Sequence, residues 1–295
     1  MNILVTGATG FVGQHLLPFL KKKNHQVYAL VRANTDLSKV KTCEYFVFRD
    51  NIEELSVYLQ KYQIDGVIHL ASLYIPQHQS VQIKDLVSSN IYLGTAVLEA
   101  AVNAHVKWFL NTGTIWQNYC VPDKSDEYNP VNLYAATKQA FIDMAKFYTE
   151  TRPIRFCTLK LCDTFGPDDT RPKIMALFKT IAENHSTLEM SKGEQKLDLL
   201  YIDDIVSGFL VLAEMLNDKN CVLRKEYVLS SGHQITLHDL SKSFESVSHK
   251  TLNIQWGKKP YRLREVMVPY IGHVLKGWKP EYTLKKGIEI LFQSL

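Results

Sequence analysis

Over the first half of the chain, short aliphatic and β-branched runs alternate with segments whose apolar positions recur every three or four residues. The runs fall at 2–6 (NILVT), 26–31, 43–48, 66–71, 106–111 and 154–161. Between them lie FVGQHLLPFLKKK, NIEELSVYLQKY, a long stretch from 81 to 104, and YAATKQAFIDMAKFYTE. Runs that are apolar at both odd and even positions belong to strands covered on both faces, as in a parallel sheet under helices. The spacings suit right-handed βαβ crossovers. The pattern therefore predicts an α/β fold with a doubly wound parallel sheet.

After Gly166 and Pro167 the rhythm changes. One helix is expected from Lys173 to Glu183, followed by polar connection. A strand and helix resume in KLDLLYIDDIVSGFLVLAEMLNDK, and shorter elements then run to a terminal helix around LKKGIEILFQSL. The expected organisation is a dinucleotide-binding domain from 1–162 and 196–220, with a small, discontinuous C-terminal α/β lobe from 163–195 and 221–295. No repeat or low-complexity linker interrupts it.

Composition narrows the function classes. With 34 Lys plus Arg against 30 Asp plus Glu, the formal charge of +4 excludes a polybasic or acidic tail. There is no basic amphipathic segment and no array of aromatic and basic residues, so nucleic-acid and membrane partners are not expected. No apolar run reaches the length of a membrane-spanning helix, and residues 2–6 read as a strand rather than a leader. The five cysteines form no CxxC pair, which favours reduced thiols and a cytoplasmic setting.

The segment TGATGFVG places Gly7, Gly10 and Gly13 between a strand and a helix. Gly7 suits a tight turn, Gly10 a close approach of backbone to diphosphate, and Gly13 helix-on-strand packing. The helix terminus supplies free N–H groups and positive dipole charge. This is the dinucleotide-binding pattern of a Rossmann sheet, with Thr9, Phe11 and Val12 in the loop. At the end of the second strand, where an acid often meets the adenosine ribose, Val31 stands beside Arg32. A guanidinium there can pair with a 2′-phosphate, so the expectation is NADPH, with NAD(H) as the alternative. Lys39 and Lys41 are further candidates for phosphate. Asp50, followed by Asn51, is read as a helix N-cap or a partner for the adenine edge. Leu70, Ala71 and Ser72 end the next strand on the cofactor side, and His69 is read as structural or cofactor-lining.

Tyr134 and Lys138 in YAATK lie four residues apart on one helical face. A nearby ammonium stabilises phenolate, so Tyr134 can exchange a proton with a carbinol or carbonyl oxygen even though a phenol ordinarily titrates near pH 10. Thr112, in FLNTGTIW, can offer its hydroxyl to the same oxygen. His233 and His238 have no third ligand in register, so no metal site is expected.

TGATGFVG, Asp50, IHLA, NIYLGTAVLEAA, Thr112, YAATK, FGPDD, YIDD and GWKP together resemble the extended short-chain dehydrogenase/reductases, the NAD-dependent epimerase/dehydratase family. The resemblance covers nearly the whole chain. It implies a nucleotide-sugar substrate, a catalytic set of Thr112, Tyr134 and Lys138, and a cofactor site that includes Asn90. Two departures stand out: Asp163 replaces the usual Asn, and Leu197 occupies a position that is commonly Arg, with Lys196 beside it. Relatives that dehydrate carry Asp and Glu after the catalytic Thr, where this chain has Gly113 and Thr114. Within the family the chain resembles the CDP-abequose synthase type of reductase. That implies NADPH-dependent reduction of the C4 keto group of a nucleotide-linked deoxysugar, with CDP-4-keto-3,6-dideoxy-D-glucose expected, for O-antigen or other surface polysaccharide. GDP- and dTDP-linked sugars remain open. The alternatives are an NAD-dependent nucleotide-sugar 4-epimerase and a non-catalytic dinucleotide-binding regulator or scaffold.

For the substrate, the candidate residues are Tyr74, Thr112, Thr114, Asp163, Lys173 and Lys196, with Lys192 and Arg171 as further charges near a diphosphate. The family also implies a homodimer through the helices at 81–104 and 134–149.

Overall fold

In the computed structural model, which describes residues 1–293, the apolar runs become the strands of one parallel sheet. The first half of the chain runs β1 (Asn2–Thr6), α1 (Phe11–Lys22), β2 (Gln26–Arg32), β3 (Glu44–Phe48), α2 (Ile52–Lys61) and β4 (Gly66–His69). It continues through α3 (Ile83–Val87), a π-helical turn (Ser88–Tyr92), α4 (Leu93–Asn103), β5 (Trp108–Thr114), α5 (Leu133–Thr151) and β6 (Arg155–Leu161). The second half contains β7 (Asp163–Phe165), α6 (Ile174–Asn184), β8 (Leu188–Glu189), β9 (Lys196–Tyr201), α7 (Ile202–Asn217) and β10 (Glu226–Leu229). It closes with β11 (Gln234–Thr236), α8 (Leu237–Ser248), β12 (Ile254–Gln255) and α9 (Leu284–Gln293). The expected terminal helix extends two residues beyond the described ones.

Seven strands pair in the order β10-β6-β5-β4-β1-β2-β3, all parallel. The α/β doubly wound expectation holds, and side-chain alternation explains it. Ile3, Val5, Trp108 and Leu110 point into one apolar layer, under α1 and α7. Leu4, Val67 and Phe109 point into the other, under α2, α4 and α5.

Two smaller sheets complete the molecule. β11 pairs antiparallel and β7 parallel with β9, and β12 pairs with β8. β9 thus sits in a small sheet, although it begins the 196–220 segment expected to rejoin the large one. β10, within the 221–295 segment expected in the lobe, is the edge strand of the large sheet. Its EYVL run, with three buried residues, matches the sheet's other strands.

The continuous helix expected over 81–104 is interrupted by the π turn, where Asn90 turns inward and is fully buried. Such a turn inserts an extra residue into the helical ladder and re-aims one side chain.

The YIDD and GWKP segments form a single clamp. Trp278 Nε1 donates to the Asp204 carbonyl at 3.1 Å and to Ser207 Oγ at 2.9 Å. The Asp204 carboxylate accepts the N–H groups of Glu281 and Tyr282 at 2.7 and 3.1 Å. This fixes the approach to α9 against the start of α7. Asp204→Ala should lower the unfolding free energy by about 2–4 kcal/mol, because two partly buried N–H donors lose a charged acceptor. Urea denaturation measures it, and a change within error would refute the clamp.

Candidate active site

The glycine-rich turn is shaped by backbone contact. Gly7 has φ +68°, and a Cβ there would lie 2.7 Å from the Ala71 amide nitrogen. A Cβ at Gly13 would lie 2.4 Å from the Gly7 carbonyl oxygen. Larger residues at either position would separate β1, α1 and the end of β4. Gly10 caps α1 with no side-chain hydrogen bond, so the N–H groups of the first turn face a cavity of about 220 Å³ lined by Gly7, Gly10, Phe11 and Val12. These features fit a dinucleotide diphosphate.

The far wall of the same cavity is made of Thr112, Thr114, Tyr134 and Lys138. Asn132 caps α5 through its Oδ1, and the first two turns of that helix carry Tyr134 and Lys138 to the cavity. Lys138 is 1% exposed. Its Nζ and the Thr112 hydroxyl are buried without a hydrogen-bond partner among the described residues, which leaves both for a bound molecule. Burial pushes the Lys138 ammonium down to about 8. Burial also raises the Tyr134 phenol, and Lys173, the Ser72 hydroxyl and Arg171 oppose that rise. Beneath Lys138, His69 is buried with its Nδ1 2.8 Å from Thr6 Oγ1. Desolvation and the Lys138 charge hold it neutral, at about 3. It has a structural place under the site.

The cavity brings together most of the residues singled out from sequence: Gly7, Gly10, Phe11, Val12, Leu70, Ser72, Tyr74, Thr112, Thr114, Tyr134, Lys138, Asp163 and Lys173. Lys196 lines a neighbouring cavity of about 190 Å³ that shares Tyr74, Ile115, Trp116, Asp163 and Lys173 with the first. Thr9, Ala71 and Asn90 stand behind the lining. Ala71 donates its N–H to Thr6 Oγ1 at 3.1 Å. Asn90 accepts the Leu73 N–H at 2.7 Å, and its amide donates to the Leu73 carbonyl and Thr137 Oγ1 at 3.0 and 2.9 Å. It thereby ties the segment after β4 to the helix that carries Tyr134.

Other candidates lie apart, except Arg171, which lines the first cavity. Asp50 is exposed with φ +57°, and Asn51 supplies the N-cap of α2 by accepting from the Glu54 N–H at 3.0 Å. Lys39, Lys41 and Lys192 are exposed and line neither cavity. Arg171 grips Asp169 with Nε and Nη2 at 2.7 and 2.8 Å and lies 4.3 Å over the Phe11 ring, closing the loop before α6 onto the glycine turn. Trp116, Arg262 and Arg264 also line the site. Trp116 follows Thr112 closely enough to have been inferred from the strand end. The two arginines sit in an irregular segment where no periodicity marks them.

Residues 3–223 match the NAD dependent epimerase/dehydratase family. The chain belongs to that family. It is 28% identical to the CDP-abequose synthase of Salmonella typhimurium, over 99% of this chain and 98% of that protein. Its fold is that of the UDP-glucose 4-epimerase of Thermotoga maritima solved with UDP-glucose (TM-score 0.85, 19% identity, 100% and 99% coverage). It is equally similar to the Stenotrophomonas maltophila UDP-glucose 4-epimerase with bound NAD and a formylated UDP-arabinopyranose (TM-score 0.85, 18% identity, 99% and 97% coverage).

The resemblance to CDP-abequose synthase-type enzymes therefore holds, but the activity expected from it does not. Similar structures are epimerases or carry NAD, and epimerases recur among the more distant sequence relatives. These findings overturn NADPH-dependent 4-ketoreduction, together with its NADP cofactor and surface-polysaccharide role. The physical reason for the misreading is visible at Arg32. It is exposed at the end of β2, only its backbone N–H is held, by Thr35 Oγ1 at 3.0 Å, and its guanidinium forms no ion pair among the described residues. An exposed, unheld guanidinium is no built phosphate site.

Asn90→Leu should expose this architecture. Loss of its hydrogen bonds to Ser72, Leu73 and Thr137 should cost about 2–4 kcal/mol and speed hydrogen exchange at the Leu73 amide. Unchanged exchange there would show that Asn90 does not hold the segment.

Proposed function

We propose that the protein is a nucleotide-sugar 4-epimerase that uses NAD. The observation that carries this reading is one cleft that holds the glycine turn and the Thr112, Tyr134 and Lys138 side chains together and adjoins a second, cationic cleft. Bound NAD would supply a hydride acceptor and, reduced, a hydride donor.

In the forward half, Tyr134 takes the C4 hydroxyl proton while Thr112 orients that oxygen. In the return half, Tyr134 gives the proton back after the sugar has presented its other face. Lys138 holds the nicotinamide ribose and favours the phenolate. The same three side chains serve oxidation and reduction, so their presence is shared by epimerases and reductases alike.

The second cavity, with Lys196, Arg262 and Arg264 on its walls, suits the diphosphate and base of a UDP- or CDP-sugar. Anchoring there leaves the pyranose free to turn. We assign this end of the substrate to a lobe built from 163–195, β9, and the parts of 221–295 outside β10. Arg32 and Asp50 stay outside the catalytic centre. Among the described residues, no helix is long and apolar enough to cross a membrane.

The helices at 81–104 and 134–149 leave Ile83, Val87, Tyr92, Met144 and Phe147 exposed, with Phe147 at 61%. An apolar patch of this kind marks an association surface, and we assign it to a homodimer of this chain.

Incubated with a UDP- or CDP-hexose and substoichiometric NAD, the protein should form the C4 epimer without net NADH, as read by NMR of the sugar. Tyr134→Phe should slow turnover about 10²–10⁴-fold while NAD binding by calorimetry stays intact. Stoichiometric consumption of reduced cofactor with no epimer would reject the reading. Sedimentation should give a dimer that Phe147→Glu converts to monomer; a monomeric unaltered protein would refute the interface.

A further inference from the structure

Lys173 stands where the two cavities meet, just before α6, and lines both. Its Nζ lies 4.3 Å from the centroid of the Tyr74 ring and 5.5 Å from that of Trp116. Tyr74 in turn meets the Tyr134 ring edge-on, with centroids 5.1 Å apart and planes at 84°. On the other side, Lys173 Nζ is 3.4 Å from Asp163 Oδ1, with side-chain exposures of 20% and 21%. The first residue of β7 thus places a carboxylate against a lysine.

We propose that Lys173 and Asp163 form a positioning pair for Tyr134, in which the caged ammonium favours the phenolate that accepts the carbinol proton and the carboxylate limits that effect. The inference deepens the reading of Tyr134 as the proton-exchanging group and rests on it. Two aromatic faces strip water from the ammonium, and its field is then poorly screened over the short path to the phenol. A carboxylate at 3.4 Å partly cancels that field and keeps Lys173 charged. In agreement, Lys173 is the foremost influence opposing the rise of the Tyr134 phenol, and Asp163 is the foremost influence holding the Lys173 ammonium up against burial.

The titratable and charged groups around Tyr134 come from several elements. Lys138 lies on its own helix. Tyr74 follows β4, where Ser72 adds its hydroxyl. Arg171, neutralised by Asp169, and Lys173 come from the loop before α6, and Asp163 comes from β7. Only Lys173 and Asp163 among them are a charge pair that touches the aromatic cage.

The two ends of the pair predict opposite effects on one group, which a purely structural strut does not. Phenolate absorbance of the cofactor-free protein, minus that of the same variant carrying Tyr134→Phe, isolates the Tyr134 titration. Lys173→Met should move that titration up by about one pH unit, a tenfold change in phenolate at fixed pH. Asp163→Asn should move it down, and Lys173→Arg should restore it toward the parent. The acid limb of the sugar-oxidation rate should follow the same directions. Shifts of both variants in one direction, or no shift in either, would overturn the proposal. Because the titration needs no turnover, opposite shifts without epimerisation would uphold the pair and reject the function instead.

Discussion

The close approach of three backbones at the glycine turn is the constraint from which the rest of the site follows. β1 ends, α1 begins and the chain leaves β4 within a space that admits no Cβ at Gly7 or Gly13. That contact exposes the first N–H groups of α1 to the cavity. It also brings the Leu70–Ser72 segment alongside, held by Thr6 through the Ala71 N–H. Asn90 carries the constraint onward by tying Leu73 to Thr137 on α5. The Tyr134 and Lys138 side chains are thus set relative to the dinucleotide turn by a continuous chain of hydrogen bonds and packed backbone.

Burial then gives the site its chemistry. Lys138 and Thr112 carry polar atoms that are shielded from water and find no hydrogen-bond partner among the described residues. Unpaired buried polar groups are costly, so their persistence here is explained by a molecule that completes them. The same desolvation raises the phenol of Tyr134 and lowers the ammonium of Lys138, because burial penalises the charged form of each. Charges are recruited locally, as they must be in a protein of net charge +4. Arg171, Lys173, Lys196, Arg262 and Arg264 line the cavities, with Arg171 also held by Asp169 over the ring of Phe11.

The architecture was legible because strand and helix periodicities are local properties. Apolar runs at both parities announced a sheet covered on both faces, and the glycine spacing announced the phosphate turn. Thr112, Tyr134 and Lys138 were legible for a related reason: a strand end and a helical repeat of four place them without knowledge of long-range contacts. Asp50 misled because a cap depends on backbone conformation, and its positive φ passes that role to Asn51. Arg32 misled because a charge beside a strand end reveals nothing about whether the side chain is held. The π turn at 88–92 was invisible because its cause, the inward amide of Asn90, lies in contacts with residues 17 and 47 positions away.

The sequence by itself determined the sheet, the glycine turn and the pairing of Tyr134 with Lys138 on one helical face, since each follows from spacing along a regular element. Only the tertiary structure decided that Arg262 and Arg264 join Lys196 in one wall, that YIDD and GWKP are a single clamp, and that Asp163 faces Lys173. Those groupings join residues far apart in the chain, through irregular segments whose direction is set by packing. No local periodicity encodes such a meeting. Burial and hydrogen bonding fix it once the sheet has formed.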